Sequence, residues 1–276
     1  MPLLRETAVD WLATARPAIV VEVTQALGSA PREAGTRMLV SAEQVVGTVG
    51  GGHLEWKAIA TARAMLERAE PGPHSEHYPL GPALGQCCGG AVTLNYAPLD
   101  AAALARWPEP RAWFDLQLYG AGHVGRAIVQ ALAPLPVRVL WIDEREEEFA
   151  AARPLIGPLH AQIETRCIDT LEAEVRHAAP GAYYLVLTHQ HELDLRITEA
   201  ILRRADFAYL GLIGSKTKRQ RFVHRFEERG VAAEAIARMT CPIGVPGIDG
   251  KEPEVIAAAV VAQLLQQREA RPCATQ

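Results

Sequence analysis

Composition alone excludes several function classes here, because the sequence lacks their features. Lysine and arginine number 28 against 32 aspartates and glutamates, a formal net charge of −4. A balance this close to neutral gives no electrostatic footprint for nucleic acid or for an anionic membrane surface. Cysteines are few and odd in number, five in all, with no CxxC pair among them, which argues against a disulfide framework or a zinc ribbon. Long apolar runs are missing too: the longest, VIAAAVVAQLL from Val255 to Leu265, is too short to span a bilayer. The opening stretch MPLLRETAVDWLATARPAIV carries Glu6 and Asp10 where a signal peptide needs an unbroken apolar core, so it is expected to be an amphipathic helix running into a strand. No internal repeat and no low-complexity tract is present. The expectation from these absences is a cytoplasmic protein with free thiols.

What is present is an ordinary globular composition, 49% hydrophobic over 276 residues, a length that suits two compact domains. The halves differ in texture. Residues 1–100 are rich in glycine and β-branched runs and predict a smaller α+β domain. Residues 101–114, with Pro108 and Pro110 in a polar setting, predict a linker. Residues 115–276 alternate strand-like and helix-like stretches. There, DLQLY, VRVLWID, YYLVLTH and FAYLGLI are near-continuous apolar strands, with QIETRCI a weaker one, as in a sheet covered on both faces. HVGRAIVQALA, LDLRITEAILRRA and SKTKRQRFVHRFEERG are the intervening helices. The pattern predicts a Rossmann-like, doubly wound parallel sheet.

Several motifs point to anion binding. Gly120-Ala121-Gly122-His123-Val124-Gly125 follows a strand and opens a helix, so its glycines can close the turn and let backbone approach a phosphate at a helix N-terminus. Asp143 ends the next strand, where an acidic side chain can take a ribose hydroxyl. In the first domain, Gly47-Thr48-Val49-Gly50-Gly51-Gly52-His53-Leu54-Glu55 is another glycine-rich turn into a helix, whose unpaired N–H groups would cradle an anion. Arg32, in GSAPREAG, is a possible bidentate anion contact or a solvated loop arginine. Ser215 and Lys216 begin a helix and fit either an anion contact or simple N-capping. His189 and His191 lack a third nearby ligand, so loop polarity accounts for them better than a shared metal does.

The stretch GPALGQCCGG places Cys87 and Cys88 side by side among glycines. Neighbouring residues of an extended chain project to opposite sides, so the two are poorly placed to share one tetrahedral zinc. One thiol facing a cleft could serve a soft metal centre while the other packs inward. Two packed structural cysteines fit as well on spacing alone. Cys167, Cys241 and Cys273 stand singly.

The motifs GSAPREAGTRMLV, GTVGGGHLE, LGQCCGG, YGAGHVGRAI with WIDEREEEF, LTHQHELD, YLGLIGSKTKRQRF and CPIGVPGIDGKEPEVIAAAVVAQLL occur in this order. Together, over nearly the whole chain, they resemble the XdhC/CoxI family. PIGVPGIDGKEPEV resembles its xanthine dehydrogenase branch, since the CO dehydrogenase branch more often has a shorter segment with aspartate where Pro246 stands. The resemblance implies a chaperone without turnover of its own. It would bind the molybdenum cofactor in its molybdopterin form, assist its sulfuration with a cysteine desulfurase, and deliver it to the molybdenum subunit of apo-xanthine dehydrogenase, as a cytoplasmic homodimer. It also implies that Cys87, or alternatively Cys88, is the thiol nearest molybdenum. Gly50, Gly51, Gly52 and Glu55 would line the N-terminal wall. Gly120, Gly122, His123, Gly125 and Asp143 would line the Rossmann side, where NAD(P) or another nucleotide could also sit. The competing readings are an NAD(P)-dependent oxidoreductase resting on Gly120 to Gly125 and Asp143, and a thiol sensor forming a Cys87–Cys88 disulfide.

Overall fold

The computed structural model describes residues 2–68, 73–80, 90–108, 111–152 and 160–270. The chain divides into two compact units, Met1–Pro110 and Arg111–Gln276.

The first unit is built on an antiparallel sheet. Its strands are β1 (Ile19–Leu27), β2 (Arg37–Val40), β3 (Val45–Gly47), β4 (His74–Pro79) and β5 (Ala91–Pro98), in the order β3-β2-β1-β5-β4. Period-two alternation along β1 divides its side chains between two faces. Ile19, Val21 and Val23 join Met38, Leu94 and Tyr96 under α2 (Gly52–Arg68). Val20 joins Leu39 beneath Leu4, Ala8 and Trp11 of α1 (Pro2–Ala13). That second cluster also takes in Trp107, just after α3 (Ala101–Ala105), which is N-capped by Asp100. Helix α2 buries Leu54, Ala58, Ala62 and Met65, a stripe at helical spacing whose two alanines let the axis lie close to the sheet. The ladder between β4 and β5 closes with the Leu80 N–H donating to the Gly90 carbonyl at 2.8 Å. Cys87 and Cys88 fall in the connection between them, outside the described residues.

The second unit is a parallel sheet ordered β8-β7-β6-β9-β10-β11. Its strands are β6 (Asp115–Tyr119), β7 (Arg138–Asp143), β8 (Gln162–Cys167), β9 (Tyr183–Val186), β10 (Tyr209–Leu212) and β11 (Met239–Thr240). Tyr119, Ile142, Tyr184 and Val186 pack beneath α6 (His191–Arg204), α7 (Lys216–Glu228) and α8 (Ala233–Ala237). Leu118, Trp141 and Leu185 pack on the opposite face beneath α4 (His123–Leu132) and α9 (Pro253–Glu269). Helix α5 (Glu146–Ala152) follows β7, and a 3₁₀ segment (Leu171–His177) joins β8 to β9. Strand order reverses between β6 and β9, the doubly wound arrangement expected from the sequence, with its crevice at the carboxyl ends of those strands. No helix among the described residues is long and apolar enough to cross a membrane.

Candidate functional site

Two groups of sequence-predicted residues are brought together, one in each unit. In the first unit, three motif segments meet at one end of the sheet. A Cβ on Gly90 would lie 2.4 Å from the Leu27 carbonyl oxygen and 2.7 Å from that of Ser29, so the exit of the cysteine segment presses on the start of GSAPREAG in a way only glycine allows. A Cβ on Gly50 would lie 2.5 Å from Pro31 Cγ, and Gly50 has φ +135°, so the glycine-rich turn abuts the same loop from its other side. Arg32 is exposed on that intervening loop.

The glycine-rich turn differs from the open cradle expected of it. Glu55 Oε2 accepts the N–H groups of Val49 and Gly51, both at 3.2 Å, and the Thr48 hydroxyl. Thr48 Oγ1 in turn accepts the Gly50 N–H at 3.1 Å. The carboxylate that the sequence placed on a ligand-binding wall folds back and caps its own turn. Gly51, with no atom within 4 Å of its Cβ position, marks the open side. His53 and Trp56 follow on the first turns of α2, and Trp56 is 64% exposed.

In the second unit, the three fingerprint glycines divide by role. A Cβ on Gly120 would meet the Leu187 carbonyl oxygen at 2.3 Å, and one on Gly125 would meet the Gly120 carbonyl oxygen at 2.1 Å. These two glycines allow close packing at the reversal point. Gly122 is the N-cap of α4 without a side-chain cap, and open space surrounds its Cβ position. That is where backbone could approach a phosphate, beside exposed His123.

Asp143, only 2% exposed, does not present a free carboxylate. It accepts the Ala121 N–H at 2.6 Å, the Arg145 N–H at 3.0 Å, and the Arg145 guanidinium through Nε and Nη2, each at 2.9 Å. Burial pushes its pKa upward, but the Arg145 guanidinium and the two backbone N–H groups outweigh burial and hold it below the ordinary carboxylate value. A ribose hydroxyl would have to displace these partners.

Sequence reasoning missed the most buried ion pair at this edge. Lys218 Nζ donates to Asp194 Oδ2 at 2.5 Å and to the Ile213 carbonyl at 2.9 Å, while Asp194 Oδ1 accepts from the Thr188 N–H and hydroxyl at 2.9 and 2.7 Å. The pair ties the loop after β9 to the loop after β10. Lys216, the lysine singled out from the sequence, is exposed, and Ser215 caps α7 by accepting the Lys218 N–H. In the structure Lys218 also lies close over Gly214, where a Cβ would meet Lys218 Cδ at 2.5 Å. Burial pushes the Cys241 thiol pKa up, and desolvation followed by the Glu146 carboxylate does the same for Cys167, so both remain thiols at neutral pH. Among the described residues no group of three or more His, Cys, Asp or Glu side chains could hold a metal, His189 and His191 included.

Residues 116–264 match the XdhC Rossmann domain family, and residues 11–79 match the XdhC and CoxI family. The Escherichia coli (strain K12) protein named "Uncharacterized protein YqeB" is 32% identical over 267 residues, which is 93% of this chain and 44% of that protein. The chain thus spans less than half the length of that relative. A crystal structure from Bacillus halodurans, described as a xanthine dehydrogenase, superposes with a TM-score of 0.77 at 20% identity, covering 99% of this chain and 97% of that one. This last likeness is one of fold.

Proposed function

Because this chain belongs to the XdhC and CoxI family, we propose that it binds the molybdenum cofactor as cargo and assists its maturation for a xanthine dehydrogenase. The observation that carries this reading is the meeting of three segments at one end of the first unit: the exit of the cysteine segment at Gly90, the Gly28–Gly35 loop, and the turn at Gly50. A thiol supplied from there, Cys87 or Cys88, would face molybdenum, a soft centre that thiolate suits. Arg32 would answer the cofactor's phosphate. Glu55 would keep the turn in shape rather than touch the cargo, Gly50 would seat the turn against Pro31, and Gly51 would leave room beside it. In the Rossmann unit, Gly122 and His123 would offer a second phosphate cradle, with Asp143, Gly120 and Gly125 shaping it.

Sulfur would come from a cysteine desulfurase, and the cofactor would pass to the molybdenum subunit of the dehydrogenase. This chain's own part would be holding and shielding, without turnover, as a cytoplasmic homodimer. The alternative, an NAD(P)-dependent oxidoreductase, needs Asp143 for the ribose, and the Arg145 pair argues against it.

The test is co-expression with the molybdopterin pathway. Purified protein is expected to carry molybdenum and pterin in equal amounts and to activate apo-xanthine dehydrogenase. The Cys87→Ala, Cys88→Ala double variant is expected to lose the metal. Wild-type protein that neither carries nor transfers cofactor overturns the reading.

A further inference from the structure

The chain has five tryptophans; Trp11, Trp107 and Trp141 are buried, and Trp113 is 39% exposed. Arg16 lies over Trp11, Arg37 over Trp107 and Arg268 over Trp113, with guanidinium-to-centroid distances of 5.4, 5.5 and 4.5 Å. Phe149 packs edge-on against Trp141. Trp56 is different. Its indole stacks on the His53 imidazole, with centroids 5.5 Å apart and planes 18° from parallel, and 64% of the residue stays in solvent. The core-facing stripe of α2 runs through Leu54 and Ala58, so Trp56 contributes nothing to the packing of the helix against the sheet.

Its position gives the exposed ring a purpose. Helical side chains lean toward the helix N-terminus, so the indole leans back over His53 toward the glycine turn. The acidic group nearest in sequence, Glu55, is drawn into that turn by Thr48, Val49 and Gly51, which keeps its charge away from the ring. Underneath, the imidazole holds the indole in place, so a second flat ring could stack on it with little further loss of side-chain freedom. Leu27, 60% exposed at the end of β1, adds another uncovered apolar side chain on the strand that leads into the same loop group.

We infer that the His53–Trp56 pair is a stacking platform for a flat heteroaromatic ring that carries a phosphate, the pterin end of the cargo; this rests on the proposed cofactor-binding role. Trp56 is then a binding residue that acts on the ring and not on the metal. Aromatic side chains that stack on heterocyclic bases typically contribute enough that alanine substitution weakens binding about tenfold.

Metal-free molybdopterin is the probe, because it removes any cysteine–molybdenum bond from the measurement. Trp56→Ala is expected to weaken its binding to the full-length protein about tenfold, while Trp56→Phe restores most of the affinity. Trp113→Ala in the other unit leaves it unchanged, and the Cys87, Cys88 double variant binds this form as wild type does. If wild-type protein binds neither the metal-free nor the metal-loaded form, the cofactor-binding role falls and the platform with it. If wild type binds and Trp56→Ala binds equally well, the platform alone falls. A Trp56→Ala protein that binds normally but fails in transfer, or changes oligomeric state, places the indole in a protein contact and likewise overturns the platform.

Discussion

The carboxylate of Asp143 accepts the backbone N–H of Ala121 at 2.6 Å, so the end of β7 is tied to the turn that follows β6. Asp143→Asn removes the charge that Arg145 answers and weakens this tie. The expected loss is roughly 1.5–3 kcal/mol in urea unfolding, the range for a hydrogen bond to a charged group. Its pH dependence has a definite sign. The folded-state pKa lies below the ordinary 3.8, so the ionised carboxylate stabilises the fold above that value and the contribution disappears as pH falls through the lower folded one. Wild-type stability should therefore fall below about pH 4 more steeply than that of Asp143→Asn, and equal slopes would count against the tie.

Glu55→Ala strips the glycine turn of its internal acceptor. Chemical unfolding is expected to show a loss of roughly 1–2 kcal/mol, comparable to losing a helix cap. The vacated N–H groups of Val49 and Gly51 then become available to an external anion. Inorganic phosphate should raise the melting temperature of Glu55→Ala more than that of wild type, and an identical response in both proteins would show that the carboxylate does not fill the cradle.

Lys218 and Asp194 are 10% and 2% exposed, and each has the other as its charged partner. Removing either strands a buried charge, so Lys218→Met and Asp194→Asn are each expected to cost about 3–5 kcal/mol. The double variant should cost less than the sum of the two. Additive losses in a denaturant series would show that the residues act independently.

Alanine at the three fingerprint glycines separates packing from binding. Gly120→Ala and Gly125→Ala place a methyl within 2.3 and 2.1 Å of carbonyl oxygens and should lower the melting temperature. Gly122→Ala enters open space at φ −68° and should fold normally. A phosphate ligand at α4 would then be lost from Gly122→Ala without loss of stability, which calorimetry and thermal melts can resolve together.

The parallel sheet was legible because YYLV and YLGL are buried at every position and carry no competing pattern. Strand β4 was not legible. HSEHYP buries only Tyr78 and holds an edge position through its ladder with β5, so it has no hydrophobic period to find. Glycine spacing identified both turns correctly as turns. It could not say that Glu55 or Asp143 would occupy the N–H groups, since which acceptor a turn captures depends on a side chain's rotamer. Lys218 was hidden for a similar reason: Lys216 and Lys218 are alike in sequence, and the tertiary placement of Asp194 decides which is buried.

The bond from the Leu80 N–H to the Gly90 carbonyl has a consequence for engineering the molecule. It completes the β4–β5 ladder before the cysteine stretch begins, and Leu80 is fully buried as its anchor. The two ends of that connection are thus held together by the sheet itself. Any substitution that unseats Leu80 should therefore loosen both ends of the connection at once.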